Sequence, residues 1–487
     1  MKIKNNYTMM TDFYELTMAN GYFEAGKKDE ICYFDVFFRT IPDQAGYAIC
    51  AGLEQVIDYI KELHFDEEDI AYLRSKNCFS EGFLNYLANF KFQGDIYAIP
   101  EGTPIFPNEP IMIVKGNAIE AQFIETFVLS EINHQTLIAT KANRIVRAAQ
   151  GKAISEFGAR RAHGAEAAIL GARASYIAGC ASTSNVQTDL TYKVPATGTM
   201  AHAWVQMFGD EYEAFKQYCT IYPDNAVLLV DTYDVIKSGV PNAIKAFNEI
   251  LLPLGKRPKG IRLDSGDIAY LSKKCRKMLD EAGFKDCKII ASNSLDEYII
   301  RDLLFQDAKI DAFGVGERLI TSKSNPVFDG VYKLAAVEDK NGNIIPRIKI
   351  SENVGKITTP HFKKLYRFFS KENQKAEADL LSVYDEVLDF TKPFELFDPI
   401  ATWKRKTLDD YEVVELLKPI FIKGKLVYEC PNIETIRNYC KEQVDSLWDE
   451  VTRFENPHNY YVDLTQKLWD TKQDLLMLRR KVKSNKQ

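Results

Sequence analysis

From Glu156 to Gly316, short apolar runs stop abruptly at Gly, Ser, Arg, Asp or His, and such stops lead into stretches with helical spacing. Three of these stops crowd together: Glu156-Phe157-Gly158-Ala159-Arg160-Arg161, Ala181-Ser182-Thr183-Ser184-Asn185 and Gly198-Thr199-Met200-Ala201-His202. This rhythm constrains the fold more than any other feature of the chain. Strand, polar turn and helix in repetition make parallel βα units, and such units carry their chemistry on the loops that follow the strands. The candidate strand ends are Phe157, Gly179, His202, Asp231, Asp264, Ser292 and Gly314. Their number approaches that of an eight-fold barrel, so the expected fold is α/β, an irregular and incomplete (β/α) TIM-like barrel over residues 126–335.

The flanks read differently. Apolar positions recur at helical spacing from Asp12 to Ala19 and from Gly52 to Leu63, whereas Cys32 to Arg39 reads as a strand. Prolines and glycines between Ile99 and Pro107 suit a small antiparallel sheet with tight turns. Residues 1–125 are therefore expected to form an α+β domain. A long helix is expected from Ala118 to about Ala149. Residues 336–487 lose the rhythm, then turn helical after Ile433, with Leu447, Trp448, Val451, Leu464, Leu468 and Leu475 as apolar anchors. This last segment is expected to pack back on the N-terminal domain.

Composition removes several classes. A formal charge of −6 gives no field that would gather nucleic acid or anionic lipid, and the basic run Arg479-Arg480-Lys481-Val482-Lys483 reads as a solvated helix terminus. Nine cysteines lie scattered without a Cys-x-x-Cys pair, which supports neither a disulfide framework nor a zinc site and points to a reducing cytoplasm. No apolar leader precedes Tyr7, and no run approaches the roughly 18 apolar residues of a membrane span. The expectation is a cytosolic protein with no nucleic-acid or membrane partner.

Each strand end has a chemical reading and a plainer one. Gly314 and Gly316 offer backbone N–H groups where a strand yields to a helix, as in barrels that hold a phosphoryl group on their last loops; glycine also serves tight turns for steric reasons. Arg160, Arg161 and Arg262 supply forked donors for phosphate or carboxylate, although one such arginine is commonly a surface ion pair. Asp231, Asp234, Asp264 and Asp267 suit Mg²⁺ or ribose hydroxyls, or else turn formation and capping, the latter favoured for Asp234 and Asp267. His202, one of six histidines, could be a base or a phosphoryl acceptor, where a lone histidine is more often structural. The run from Val227 to Asp231 lacks the second adjacent acid and the small Thr-Gly loop of the Rossmann-like phosphoribosyltransferases, and is not read as their signature.

Taken in order, these segments resemble the nicotinate phosphoribosyltransferase family. The resemblance rests on Thr11-Asp12-Phe13-Tyr14-Glu15-Leu16-Thr17-Met18, Glu101-Gly102-Thr103-Pro104, the Glu156-to-Arg161 segment, Thr183-Ser184-Asn185, Gly198-to-His202, Asp264-Ser265-Gly266-Asp267, Ser292-Asn293 and Gly314-to-Arg318. It implies an irregular α/β barrel beside a domain built from both chain ends, and a homodimer with shared sites. It implies synthesis of nicotinate mononucleotide from nicotinate and phosphoribosyl pyrophosphate, with Mg²⁺, helped by ATP hydrolysis. In that scheme Phe157 and Tyr14 of the partner subunit sandwich the pyridine ring, Arg160 and Arg262 face anionic groups, and His202 is phosphorylated by ATP. Asp231, Asp264, Ser292 and Asn293 line the same site, Gly314 and Gly316 bind phosphate, and no metal ligand is assigned.

Ser184 stands where nicotinamide-using relatives carry a carboxylate. A neutral hydroxyl can donate to the carboxylate of nicotinate, while an acid would repel it and suit an amide. A quinolinate-using enzyme would need further cations for a second carboxylate, and a sugar-phosphate lyase of the aldolase kind would need a lysine at a strand end, which is not among the candidates. One departure from the family pattern is Glu317, which follows the second glycine where many members place a small hydroxyl residue.

Overall fold

The computed structural model describes residues 6–484; residues 1–5 and the side chains of the basic run 479–483 lie outside the described residues. The chain divides into two compact units, one taking Met1–Leu137 together with Val327–Gln487, the other Ile138–Pro326. No helix among the described residues is long and apolar enough to cross a membrane.

The second unit holds six parallel strands: β1 (Ala153–Glu156), β2 (Ser182–Thr183), β3 (Val227–Leu229), β4 (Gly260–Leu263), β5 (Lys288–Ala291) and β6 (Ala312–Val315). Their order across the sheet is β2-β1-β6-β5-β4-β3, every neighbouring pair parallel. Leu228, Leu229, Ile261, Leu263 and Ile289 are fully buried against Phe215, Val240, Phe247 and Leu279 of the covering helices, so the strands are apolar on both faces, as a helix-covered parallel sheet requires. Side-chain caps start the helices beyond β2, β4 and β5: Asn185 accepts from Gln187 N–H, Asp267 from Tyr270 N–H and Asp296 from Ile299 N–H.

Two expected strand ends are corrected. Gly179 sits in the turn before β2, where its φ of +114° needs a glycine. His202 opens the helix His202–Met207; the polar segment before it forms only a single bridge, Ala196 with Thr183. The expected long helix is also interrupted, as Ala118–Phe123 and Glu125–Ala148.

In the first unit, Ile31–Phe37 lies inside a seven-stranded antiparallel sheet, between Val331–Glu338 and Met112–Asn117. A four-stranded sheet orders Tyr411–Glu415, Lys363–Ser370, Ala376–Val383 and Val462–Leu464. These later strands had no counterpart in the sequence reading. Helices Ile433–Asp445 and Gln466–Ser484 end the chain as expected.

Candidate active site

The carboxyl ends of the six parallel strands gather Phe157, Ser184, Asp231, Asp264, Ser292 and the Gly314-to-Gly316 segment. In open α/β sheets this is the edge where ligands bind, because the loops there meet the positive ends of the following helices.

Asp231 is the anchor of one side. Its Oδ2 accepts from Asp264 N–H at 2.9 Å and from Ser265 Oγ at 2.7 Å, which joins the loops after β3 and β4. Its Oδ1 is buried without a hydrogen-bond partner. Ser292 Oγ donates to Asp264 Oδ1, bringing in the loop after β5. His202 Nδ1 pairs with Thr232 Oγ1 at 3.1 Å, and its Nε2 stands 4.0 Å from both Asp231 Oδ1 and Asp264 Oδ2. A buried acceptor left unpaired beside a second carboxylate suits a cation, and Mg²⁺ commonly takes one or two carboxylates and completes its shell with substrate phosphates and water. Among the described residues no group of three acidic, His or Cys side chains forms a metal cage.

Arg262 is the opposite case. Its Nη1 donates to Thr199 Oγ1 at 2.6 Å and its Nη2 to the Met200 carbonyl at 3.0 Å, while Nε is buried and unpaired. Burial pulls its guanidinium below the usual range and Arg160 adds to that, against the pull of Asp264 and Asp231. A desolvated guanidinium with an unused donor is suited to an anion. Arg160 itself is exposed on the short turn Ala159–Arg161.

Phe157 is half-buried, with its N–H bonded to the Val315 carbonyl. Its ring lies over Gly314, where a Cβ would come within 2.5 Å of Phe157 Cδ2 and Cε2. Gly314 is therefore inside β6, and its missing side chain makes room for the ring. Gly316 precedes the short helix Glu317–Ile320. Glu317 does not intrude on the loop: Lys323 Nζ holds its carboxylate at 3.0 Å and lowers its pKa. Arg318 donates to Asp296, tying the β6 loop to the helix after β5. Asn293 and Ser294 adopt left-handed φ values of +85° and +48°, a strained turn of the kind found where a loop serves a ligand.

Ser184 is exposed, and its N–H bonds to the Glu156 carbonyl at 2.9 Å. Tyr14 belongs to the first unit, on the helix Phe13–Glu24, and is 45% exposed. Asp234 and Asp267 cap helices, the plainer of their two readings. Sequence reasoning overlooked three residues here: Thr232, which holds His202; Ser265, which holds Asp231; and Glu156. The first two adjoin residues that were singled out, and hydroxyls beside strand-end acids were the available signal.

The sheet, its helices and this edge define an α/β protein whose polar and charged side chains converge at the strand carboxyl ends. Family models of the nicotinate phosphoribosyltransferase (NAPRTase) N-terminal domain, family and C-terminal domain match residues 9–133, 152–386 and 362–472. A Bacillus subtilis nicotinate phosphoribosyltransferase is 44% identical over 96% of this chain and 95% of its own length. The crystal structure of human nicotinic acid phosphoribosyltransferase superposes with a TM-score of 0.82 at 25% identity, covering 96% of this chain and 100% of that one. That of a Pyrococcus furiosus nicotinate-nucleotide pyrophosphorylase gives a TM-score of 0.68 at 27% identity, covering 92% and 98%. The chain belongs to the nicotinate phosphoribosyltransferase family.

Proposed function

We propose that this chain joins nicotinate to the ribose of phosphoribosyl pyrophosphate, giving nicotinate mononucleotide and pyrophosphate for NAD biosynthesis, with Mg²⁺ and with ATP hydrolysed through a phosphorylated His202. The observation that carries the reading is a pair of opposite unpaired groups on one edge of the sheet: the Arg262 Nε donor and the Asp231 Oδ1 acceptor. A substrate that is anionic and travels with a cation satisfies both.

The pyridine ring lies on Phe157, with Tyr14 of the partner subunit on its other face in a homodimer. Its carboxylate meets Arg262 and the Ser184 hydroxyl. Arg160, Ser292, Asn293 and the Gly314–Gly316 turn face the phosphates. The pyridine nitrogen uses its lone pair to bond the ribose C1 as the bond from C1 to the pyrophosphate oxygen breaks, and that electron pair leaves with pyrophosphate. The sugar is cationic in between, so positioning and charge stabilisation do most of the work. Asp231 and Asp264 would hold Mg²⁺, which when bound neutralises phosphate charge. His202 Nδ1 is engaged by Thr232, which leaves Nε2 to take the γ-phosphoryl of ATP as its bond to the bridging β-phosphate oxygen breaks and ADP departs; water then attacks the phosphohistidine, returning the histidine and releasing phosphate. The parallel sheet is read as the wall of an irregular, incomplete TIM-like barrel, and the reaction as cytosolic.

The test is to incubate the protein with phosphoribosyl pyrophosphate and Mg²⁺, with nicotinate, nicotinamide or quinolinate, with and without ATP. Mononucleotide from nicotinate and phosphate release from ATP are expected, and the His202→Ala variant should lose the phosphate release while retaining some synthesis. No product from nicotinate overturns the activity. Product from nicotinamide or quinolinate alone reassigns the substrate.

A further inference from the structure

Glu156 closes β1 and is fully buried, yet among the described residues no lysine or arginine pairs with it. A buried carboxylate without a cation costs stability unless hydrogen bonds replace its lost water. Both oxygens are so engaged. Gly158 N–H donates to Oε1, and Thr183 Oγ1 donates to Oε2 at 2.7 Å. Thr183 Oγ1 in turn accepts from Asn185 N–H at 3.0 Å, and the Glu156 carbonyl accepts from Ser184 N–H at 2.9 Å.

These bonds have one geometric result. Gly158 follows Phe157, and Ser184 follows Thr183, so a single side chain spans the turn that carries the aromatic ring and the turn that carries the hydroxyl. Gly158 has no room to drift, since a Cβ there would lie 2.6 Å from the Ile320 side chain and 2.8 Å from Glu156 Oε1. A turn that needed only a cap would be served by serine or asparagine, without burying a carboxylate.

We propose that Glu156 and Thr183 are positioning residues that fix the distance between Phe157 and Ser184, and so set both the grip on the ring and the choice of acid over amide. This rests on the reading of Phe157 and Ser184 as the residues that face nicotinate. Neither Glu156 nor Thr183 touches substrate in this scheme; both act through the backbone of their neighbours.

Steady-state kinetics of the full-length protein tests it, with Thr183→Val as the main variant because valine keeps the shape and removes the donor and the acceptor. Misplaced binding groups cost one to two orders of magnitude, so nicotinate KM should rise about tenfold while phosphoribosyl pyrophosphate KM stays within about twofold. The ratio of nicotinate to nicotinamide turnover should fall, and Thr183→Ser should regain most of the lost affinity. Glu156→Gln should fall between the two, because an amide can keep only part of the pattern. The proposal is overturned if Thr183→Val leaves nicotinate KM unchanged, raises both KM values alike, or matches Thr183→Ser. A Phe157→Ala variant separates the levels: if it too leaves nicotinate KM unchanged, the nicotinate-facing reading fails with it.

Discussion

Gly314 carries no side chain where the Phe157 ring needs the space, and this contact makes a sharp mutational test. A Gly314→Ala methyl would overlap the ring at 2.5 Å and touch Ser292 Cβ at 3.4 Å. Overpacking of this kind costs about 1–3 kcal/mol, and the ring, being only half-buried, can yield outward. The expected result is a nicotinate KM raised about tenfold with a smaller loss of stability, measured by kinetics and thermal unfolding on the same preparation. At this scale the sequence was informative where a residue's type is unusual for its place. Asp231 and Asp264 end apolar runs, and they converge; Asp234 and Asp267 lie one turn further on, and they cap. The role of Glu156 is not legible in the sequence, because nothing in one dimension says that Gly158 and Thr183 approach the same carboxylate.

At the scale of elements, the helix Phe13–Glu24 carries a buried acid. Glu15 is fully buried, accepts from Thr11 Oγ1 and from Thr126 Oγ1 at 2.5 Å, and burial pushes its pKa up to about 7 from an ordinary 4.5. Below 4.5 folded and unfolded chains both hold the proton. Between 4.5 and about 7 the folded chain keeps a proton that the unfolded chain has released, so stability falls as pH rises and the loss is complete above about 7. Glu15→Gln should therefore match the parent near pH 4 and exceed it by up to about 3 kcal/mol at pH 8. Denaturant unfolding at the two pH values checks this; an unchanged difference between them would refute it.

The same scale shows where the sequence stopped being legible. The parallel strands announce themselves as unbroken apolar runs ended by polar turns. Lys363–Ser370 does not, because its inward face includes ions: Arg367 is fully buried against Asp379 at 2.6 Å, and Lys363 against Asp35 at 2.7 Å. Alternation of apolar and polar residues is the mark of a half-buried strand, and buried ion pairs erase it. His202 reads as a strand end but opens a helix for the converse reason, since a glycine- and alanine-rich turn precedes a helix as readily as it follows a strand.

For the whole molecule, the proposed homodimer predicts complementation. Tyr14→Ala and Arg262→Ala subunits are each expected to be nearly inactive alone. If Tyr14 serves the neighbouring subunit's site, random re-association puts half the subunits in mixed dimers, each with one intact site, and about a quarter of parental activity returns. Mixing followed by assay checks this; no recovery, with mixed dimers demonstrated, would place Tyr14 outside the shared site.

The strand Ile31–Phe37 hydrogen-bonds on one side to Val331–Glu338, a partner made some 300 residues later. At about 5–20 residues per second of synthesis, that edge, with Cys32, Phe34 and Val36 along it, waits roughly 15–60 s for its neighbour. An unpaired apolar edge is a template for the wrong strand. The nascent chain thus has a long window in which its first half is sticky, and the parallel unit, which ends at Pro326, is completed only just before the missing partner strand is made. Its yield in a cell should depend on how fast the ribosome reaches residue 338 and on what shields that edge meanwhile.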